Sequence, residues 1–186
     1  MTKSLIYPFV SELLNPLLKP HSKCLEIGCG AKQYRSVLSC EYSGLDLPDS
    51  PYLIETPDFA CGMEQIPAPD ESFDIIFAVG VFNCIPDIHG ALKQTHRVLR
   101  KNGRLVIFDY QKWVAERLRM ADSDHHHAWD FNDLSSLLIC EGFQKNQILD
   151  RSHELSFPES SIKTIARKFL GIPSQSQNWL VVEATK

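Results

Sequence analysis

The run Phe73-Asp74-Ile75-Ile76-Phe77-Ala78-Val79 constrains the fold of this chain more than any other segment. A strand with one wet face alternates apolar and polar residues. Here both faces are apolar, so the strand needs cover on both sides and belongs in the middle of a parallel sheet. Other apolar runs bounded by turn residues recur along the chain, separated by segments with helical spacing, which is the pattern of a parallel sheet wrapped in helices.

Read along the chain, Ser4–Leu14 predicts a helix with Ser4 as its N-cap, broken by Pro16 and Pro20. Lys23–Ile27 is the first strand, Gly28-Cys29-Gly30 its turn, and Gln33–Leu38 the helix expected after it. Tyr42–Leu47 is a second strand, with a third near Asp58–Cys61 and the fourth at Phe73–Val79. Ile88–Arg100 carries Ala91, Leu92, Thr95, Val98 and Leu99 on one face and should end at Lys101-Asn102-Gly103. Leu105–Asp109 is a fifth strand, Asp130–Glu141 a helix closed by Gly142, Gln147–Asp150 a sixth strand, and Asn178–Ala184 an extended run that completes the sheet. The fold class is α/β: a doubly wound, mostly parallel, Rossmann-like sheet of about six or seven strands with helices on both faces.

With 186 residues and 44% hydrophobic residues, residues 1–186 suffice for one domain with its own core. The net charge of −4, with Lys and Arg dispersed, offers no footprint for a polyanionic backbone and argues against nucleic acid. Neither a leader pattern at the amino terminus nor an apolar run of about 18 residues is present, so no membrane span and a cytoplasmic location are expected. The six cysteines occur singly, without a Cys-x-x-Cys pair, and are expected as free thiols.

The chemistry is concentrated in Glu26-Ile27-Gly28-Cys29-Gly30 and in Asp46, the acid near the end of the second strand. In an open parallel sheet, ligands bind beyond the carboxyl ends of the strands, where glycines let them approach the backbone. A strand-ending acid can accept both hydroxyls of a ribose, so turn and acid together imply an adenosine-containing ligand. The third glycine of the dinucleotide fingerprint would fall at Gln33, and a pyrophosphate would need it for tight helix packing. Its absence favours S-adenosylmethionine (SAM) over NAD. Glu26 points the same way, because a carboxylate there repels a pyrophosphate and suits the ammonium of a methionine.

Leu25-Glu26-Ile27-Gly28-Cys29-Gly30 resembles the first motif of class I SAM-dependent methyltransferases. Ile66-Pro67 through Asp70, Ser72, Phe73 and Asp74, then Ala91-Leu92 and His96 through Leu105, is similar to the type 11 subgroup of that family. The resemblance runs from Cys24 to Asp109, and more loosely through Trp129-Asp130-Phe131 to Gly142-Phe143. It implies SAM as cofactor, held by Glu26, Gly28, Cys29, Gly30 and Asp46, with Val79 and Gly80 passing beneath it. Two positions depart from the family pattern: Lys32 stands where a small residue is usual, and Gly62 where an acid meets the adenine amino group. The Met63 backbone is then expected to take over that contact.

The acceptor is expected to be a small or lipid-like molecule. Asn83, just beyond the fourth strand, and His126 or His127 are the polar candidates to face it, with Tyr110–Trp129 as a helical lid. Three adjacent histidines cannot all face one ion, so no metal is expected. Two rival readings remain: a non-catalytic methyltransferase-like binding protein, and an NAD-dependent oxidoreductase.

Overall fold

Helix α1, Ile6–Leu14, turns Ile6, Val10, Leu13 and Leu14 inward at the spacing of one helical face. The computed structural model describes residues 6–121, 125–154 and 179–186, so the N-cap expected at Ser4 lies outside the described residues. Strands β1 (Lys23–Ile27), β2 (Glu41–Asp46), β3 (Phe59–Ala60) and β4 (Phe73–Val79) follow. Then come α2 (Ile88–Val98), β5 (Leu99–Tyr110), α3 (Lys112–Ala121), α4 (Phe131–Cys140), β6 (Ile148–Asp150) and β7 (Trp179–Thr185). The strands form one seven-stranded sheet in the order β3-β2-β1-β4-β5-β7-β6. The pairs from β3 to β5 are parallel, while β7 runs antiparallel to β5 and β6.

Strand alternation sorts the core into two layers. Leu25, Ile27, Ile76, Ala78, Leu105 and Ile107 face α2 and α4, which contribute Ala91, Leu92, Leu134 and Leu138. Cys24, Ile75, Phe77, Val106 and Phe108 face the other way, onto α1, Tyr34 and Leu38. Both faces of β4 are thus covered, which accounts for its unbroken apolar composition.

Two expectations need correction. Residues 31–37 form successive turns rather than a helix over Gln33–Leu38. The side chain of Asn15 captures this segment, donating to the Val37 carbonyl at 3.1 Å and accepting the Ser39 N–H at 3.1 Å. The cover a crossover helix would give comes instead from α1 and from Tyr34, stacked on Tyr7 and edge-on to Phe77. The helix expected to reach Arg100 stops at Val98, because Leu99 turns extended and pairs with Phe73. Arg100 then places one guanidinium nitrogen 2.8 Å from both oxygens of Asp74, a charge-assisted contact that helical continuation would forfeit.

The start of α4 agrees with its sequence: Asp130 accepts the Asp133 N–H at 2.9 Å, and Asp133 returns the bond to the Asp130 N–H, a reciprocal cap. Gly142 at its far end has φ +96°. None of the six cysteines forms a disulfide; Cys24 and Cys29 are buried and Cys140 is exposed. No helix among the described residues is long and apolar enough to cross a membrane.

Candidate functional site

The order of the sheet reverses between β1 and β4, and at such a point the loops beyond the strand ends part to leave a crevice. Gly28 and Gly30 end β1 with φ +68° and +46°, the left-handed region that side chains resist. The N–H groups of Gly28 and Cys29 both donate to the Leu45 carbonyl, at 2.8 and 3.0 Å, so the turn is bolted to β2. A Cβ on Gly28 would overlap Cγ2 of Val81, so the turn also presses on the loop after β4. Gly80, φ +67°, closes β4, and a Cβ there would meet nothing within 4 Å. The space for a ligand therefore opens beside Gly80, next to the glycine turn.

Asp46 sits at the rim of that space as the last residue of β2. One carboxylate oxygen accepts the Gly30 N–H at 2.7 Å and the other accepts the Leu47 N–H at 2.8 Å. Each oxygen keeps lone-pair capacity for a further donor, so a ribose diol fits a carboxylate already fixed in place. Glu26 is 3% exposed and accepts a hydrogen bond from the Tyr42 hydroxyl. Burial pushes its carboxyl up to about 8, the Tyr42 hydrogen bond works against that, and the Asp46 charge adds to it.

Several expected site residues have other duties. The Cys29 side chain is buried against Gly44, burial pushes its thiol up to about 12, and its N–H is already taken by Leu45. Cys29 therefore shapes the turn rather than offering a polar group. Met63 buries its side chain in the core, so only its backbone could reach an adenine. Val79 is half-buried and packs on the α1 side of the sheet, so it lies under the space without closing it.

Lys32 adopts the left-handed conformation that glycine favours, with φ +47°. Its buried side chain runs away to the β2–β3 loop, where Nζ donates to the Thr56 carbonyl at 2.9 Å and lies 3.2 Å from Asp58 and 3.6 Å from Glu55. Burial works to raise the Asp58 carboxyl, but the Gly44 N–H and Lys32 hold it below the usual range. Lys32 is thus a latch between two loops of the site. At Gly62 the backbone is ordinary, φ −70° and ψ 156°, yet a Cβ there would overlap the carboxylate of Glu64. The Glu64 carboxylate thus occupies the space beside Gly62, brought there by the single turn Met63–Gln65.

On the acceptor side, Asn83 is 1% exposed and its N–H donates to Asp109 at 2.9 Å. Its carbonyl accepts the N–H groups of His126 and His127, at 2.7 and 3.0 Å. The ring of His127 bonds the Ile85 carbonyl through Nε2 at 3.0 Å and stacks on Trp129 at 4.7 Å, while His126 is exposed. The histidines thus clip the segment before α4 onto the β4 loop. Helix α3 forms within the expected lid, pinned at its base by Lys112 to Asp133 at 2.7 Å and by Gln111 to the Trp179 carbonyl at 3.0 Å. Among the described residues, no group of three or more His, Cys, Asp or Glu could hold a metal ion.

A doubly wound sheet of this order, with a glycine turn after β1 and an acid closing β2, has the layout of a site for an adenosine-containing ligand. Residues 25–107, somewhat under half of the chain, match the family described as a methyltransferase domain. A ubiquinone/menaquinone biosynthesis C-methyltransferase, UbiE, of Rickettsia bellii is 39% identical over 70 residues, 37% of this chain and 26% of that protein. The chain therefore aligns with about a quarter of that relative's length. Among solved structures, the YcgJ protein of Bacillus subtilis superposes with a TM-score of 0.68 at 16% identity, covering 97% of both chains. A SAM-dependent methyltransferase from Mesorhizobium loti gives 0.68 at 16% identity over 99% of both. At such identities these structures establish the fold.

Proposed function

We propose that residues 1–186 form one domain that transfers a methyl group from SAM to a small-molecule or lipid-like acceptor. The observation that carries this is the Asp46 carboxylate, fixed by the Gly30 N–H beside the open flank of Gly80, where the sheet order reverses. When bound, SAM supplies a methyl group already activated on a positively charged sulfur, so the chain's task is alignment and exclusion of water. Asp46 accepts the ribose hydroxyls, Glu26 faces the methionine ammonium, and Glu64 with the Met63 backbone meets the adenine. Gly28, Gly30 and Gly80 let backbone and ligand approach closely. The name of the Rickettsia relatives, a quinone-biosynthesis C-methyltransferase, supports a lipid-like acceptor.

Incubation with methyl-labelled SAM and fractionated small-molecule and lipid extracts tests the activity. Label entering an extract fraction is expected. Binding of SAM with no transfer to any fraction would make the chain a binding protein.

The Glu64 assignment reverses what the sequence suggests at Gly62. A second carboxylate at 62 would crowd and repel the one already there, so Gly62→Asp is expected not to tighten SAM binding. Glu64→Ala is expected to weaken it by about 1 kcal/mol, the usual worth of one hydrogen bond. Titration calorimetry on both variants checks this; a tighter Gly62→Asp protein would return the adenine contact to position 62.

Glu26 makes binding pH-dependent. Burial pushes its carboxyl up to about 8, well above the ordinary carboxylate range, so at pH 7 it is mostly protonated. An ammonium partner favours the ionised form, so SAM binding below pH 8 releases a proton and affinity rises from pH 6 towards 8, by up to roughly tenfold per unit. Calorimetry at pH 7 in two buffers of different ionisation enthalpy reads that proton directly. No release would remove Glu26 from the ammonium contact.

A further inference from the structure

Residues 47–58 lead from β2 to β3, starting directly after Asp46, and little apolar packing holds them. Pro57 alone among them is buried and Ser50 and Leu53 are half-buried, while Leu47, Tyr52 and Ile54 turn apolar side chains to solvent. A loop with so little buried surface opens locally at small cost unless polar contacts restrain it. The restraint comes from the segment after the glycine turn. The stem of Lys32 passes over β2, its Cε 3.3 Å from where a Cβ on Gly44 would stand, and its Nζ meets the returning limb of the loop at Glu55, Thr56 and Asp58. Arg35 adds a contact of 3.3 Å to Glu55, and Asp58 also accepts the Gly44 N–H at 2.8 Å.

The tip of the same loop rests on the glycine turn. A Cβ on Gly30 would lie 3.4 Å from Cβ and 3.5 Å from the carbonyl oxygen of Tyr52. Gly30 is the residue whose N–H fixes the Asp46 carboxylate, so the tip stands at the rim where ribose hydroxyls would bind. Position 32 is an unfavourable place for a lysine taken by itself: glycine would accept φ +47° without strain, and a buried ammonium must be desolvated. The hold on the loop offsets both.

Resting on the reading that SAM fills this crevice, we infer that residues 47–58 form a strap over the ribose side of the cofactor and that Lys32 is the latch that keeps it shut. SAM enters, and the demethylated product leaves, when the Lys32 contacts break and Tyr52 lifts from Gly30. Lys32 is a positioning residue: it acts through the loop and touches no reacting atom.

Lys32→Gly isolates the latch, because glycine keeps the backbone of the turn and relieves its strain. Chymotrypsin digestion of the ligand-free protein reads the strap itself. Cleavage after Tyr52 or Leu53 is expected to be at least about tenfold faster in the variant, the factor for losing one hydrogen bond to a charged group, with melting close to the parent. Surface plasmon resonance with S-adenosylhomocysteine reads the gate. A latch slows entry and exit alike, so in the variant both rate constants are expected to rise by the same roughly tenfold factor, leaving the dissociation constant within about threefold of the parent's. Loss of a merely structural support would instead raise the exit rate alone and weaken affinity. That pattern, unchanged rates, or a loop cut no faster than in the parent would overturn the inference. A parent protein that does not bind S-adenosylhomocysteine would remove the SAM reading and the gate with it, while the digestion still decides whether Lys32 latches the loop.

Discussion

Asp46→Ala is expected to leave the sheet standing and to weaken SAM binding by roughly 1.5–3 kcal/mol, the range for hydrogen bonds to a charged group. The structure adds a second effect. Removing the carboxylate also strips the Gly30 and Leu47 N–H groups of their acceptor, so the glycine turn loosens and stability falls by about 1 kcal/mol. Asp46→Asn separates the two in part, because its one carbonyl oxygen still accepts the Gly30 N–H while the charge and the acceptor for the Leu47 N–H are gone. Melting between the parent and Asp46→Ala, with binding still weakened, is the expected result. An Asp46→Ala protein that binds SAM as tightly as the parent would take the ribose away from β2.

Gly28→Val should be more damaging. A β-branched residue at φ +68° is strained by about 1–3 kcal/mol, and overlap with Val81 adds roughly 1–3 kcal/mol of overpacking. For a chain of this size that lowers the melting temperature by on the order of 10 °C. It also pushes the β4 loop, which carries Asn83, away from the glycine turn, and SAM binding should be lost. The clash is with the protein's own loop as well as with any ligand. Pairing Gly28→Val with Val81→Ala should therefore recover the packing share of the stability and none of the backbone share. Differential scanning calorimetry of the single and double variants measures both, and a single variant that melts like the parent would mean the turn is not pressed on Val81.

Where sequence reading succeeded and failed has physical causes. Strands β1 and β4 were legible to the residue, because a short, mostly apolar run bounded by turn residues has few alternatives. The helix after Asp130 was legible because its start and its closing Gly142 are local signals. The missing helix at Gln33–Leu38 was not, since Asn15, more than twenty residues earlier, decides it. The early end of α2 depends on Asp74, 26 residues from Arg100. At the site, Gly28, Gly30, Gly80 and Asp46 stood out because glycines and a strand-ending acid carry their geometry in their identity. Lys32 looked like a disruption, and only its φ of +47° with Nζ on Thr56 shows that it preserves the turn. Glu64 carried a faint signal, an acid two residues from the expected position, but nothing local says that the chain folds it back over Gly62. His126 and His127 drew notice as groups facing a ligand, whereas their backbone N–H groups and the His127 ring hold the segment to the β4 loop.

The central claim is that the crevice at the β1–β4 reversal takes SAM. Isothermal titration of the purified chain with SAM, S-adenosylhomocysteine and NAD tests it most directly. Saturable one-to-one binding of the first two, weakened by Asp46→Ala, with no heat from NAD is the result expected. Binding of NAD, or silence with all three ligands from a protein that melts cooperatively, would contradict it.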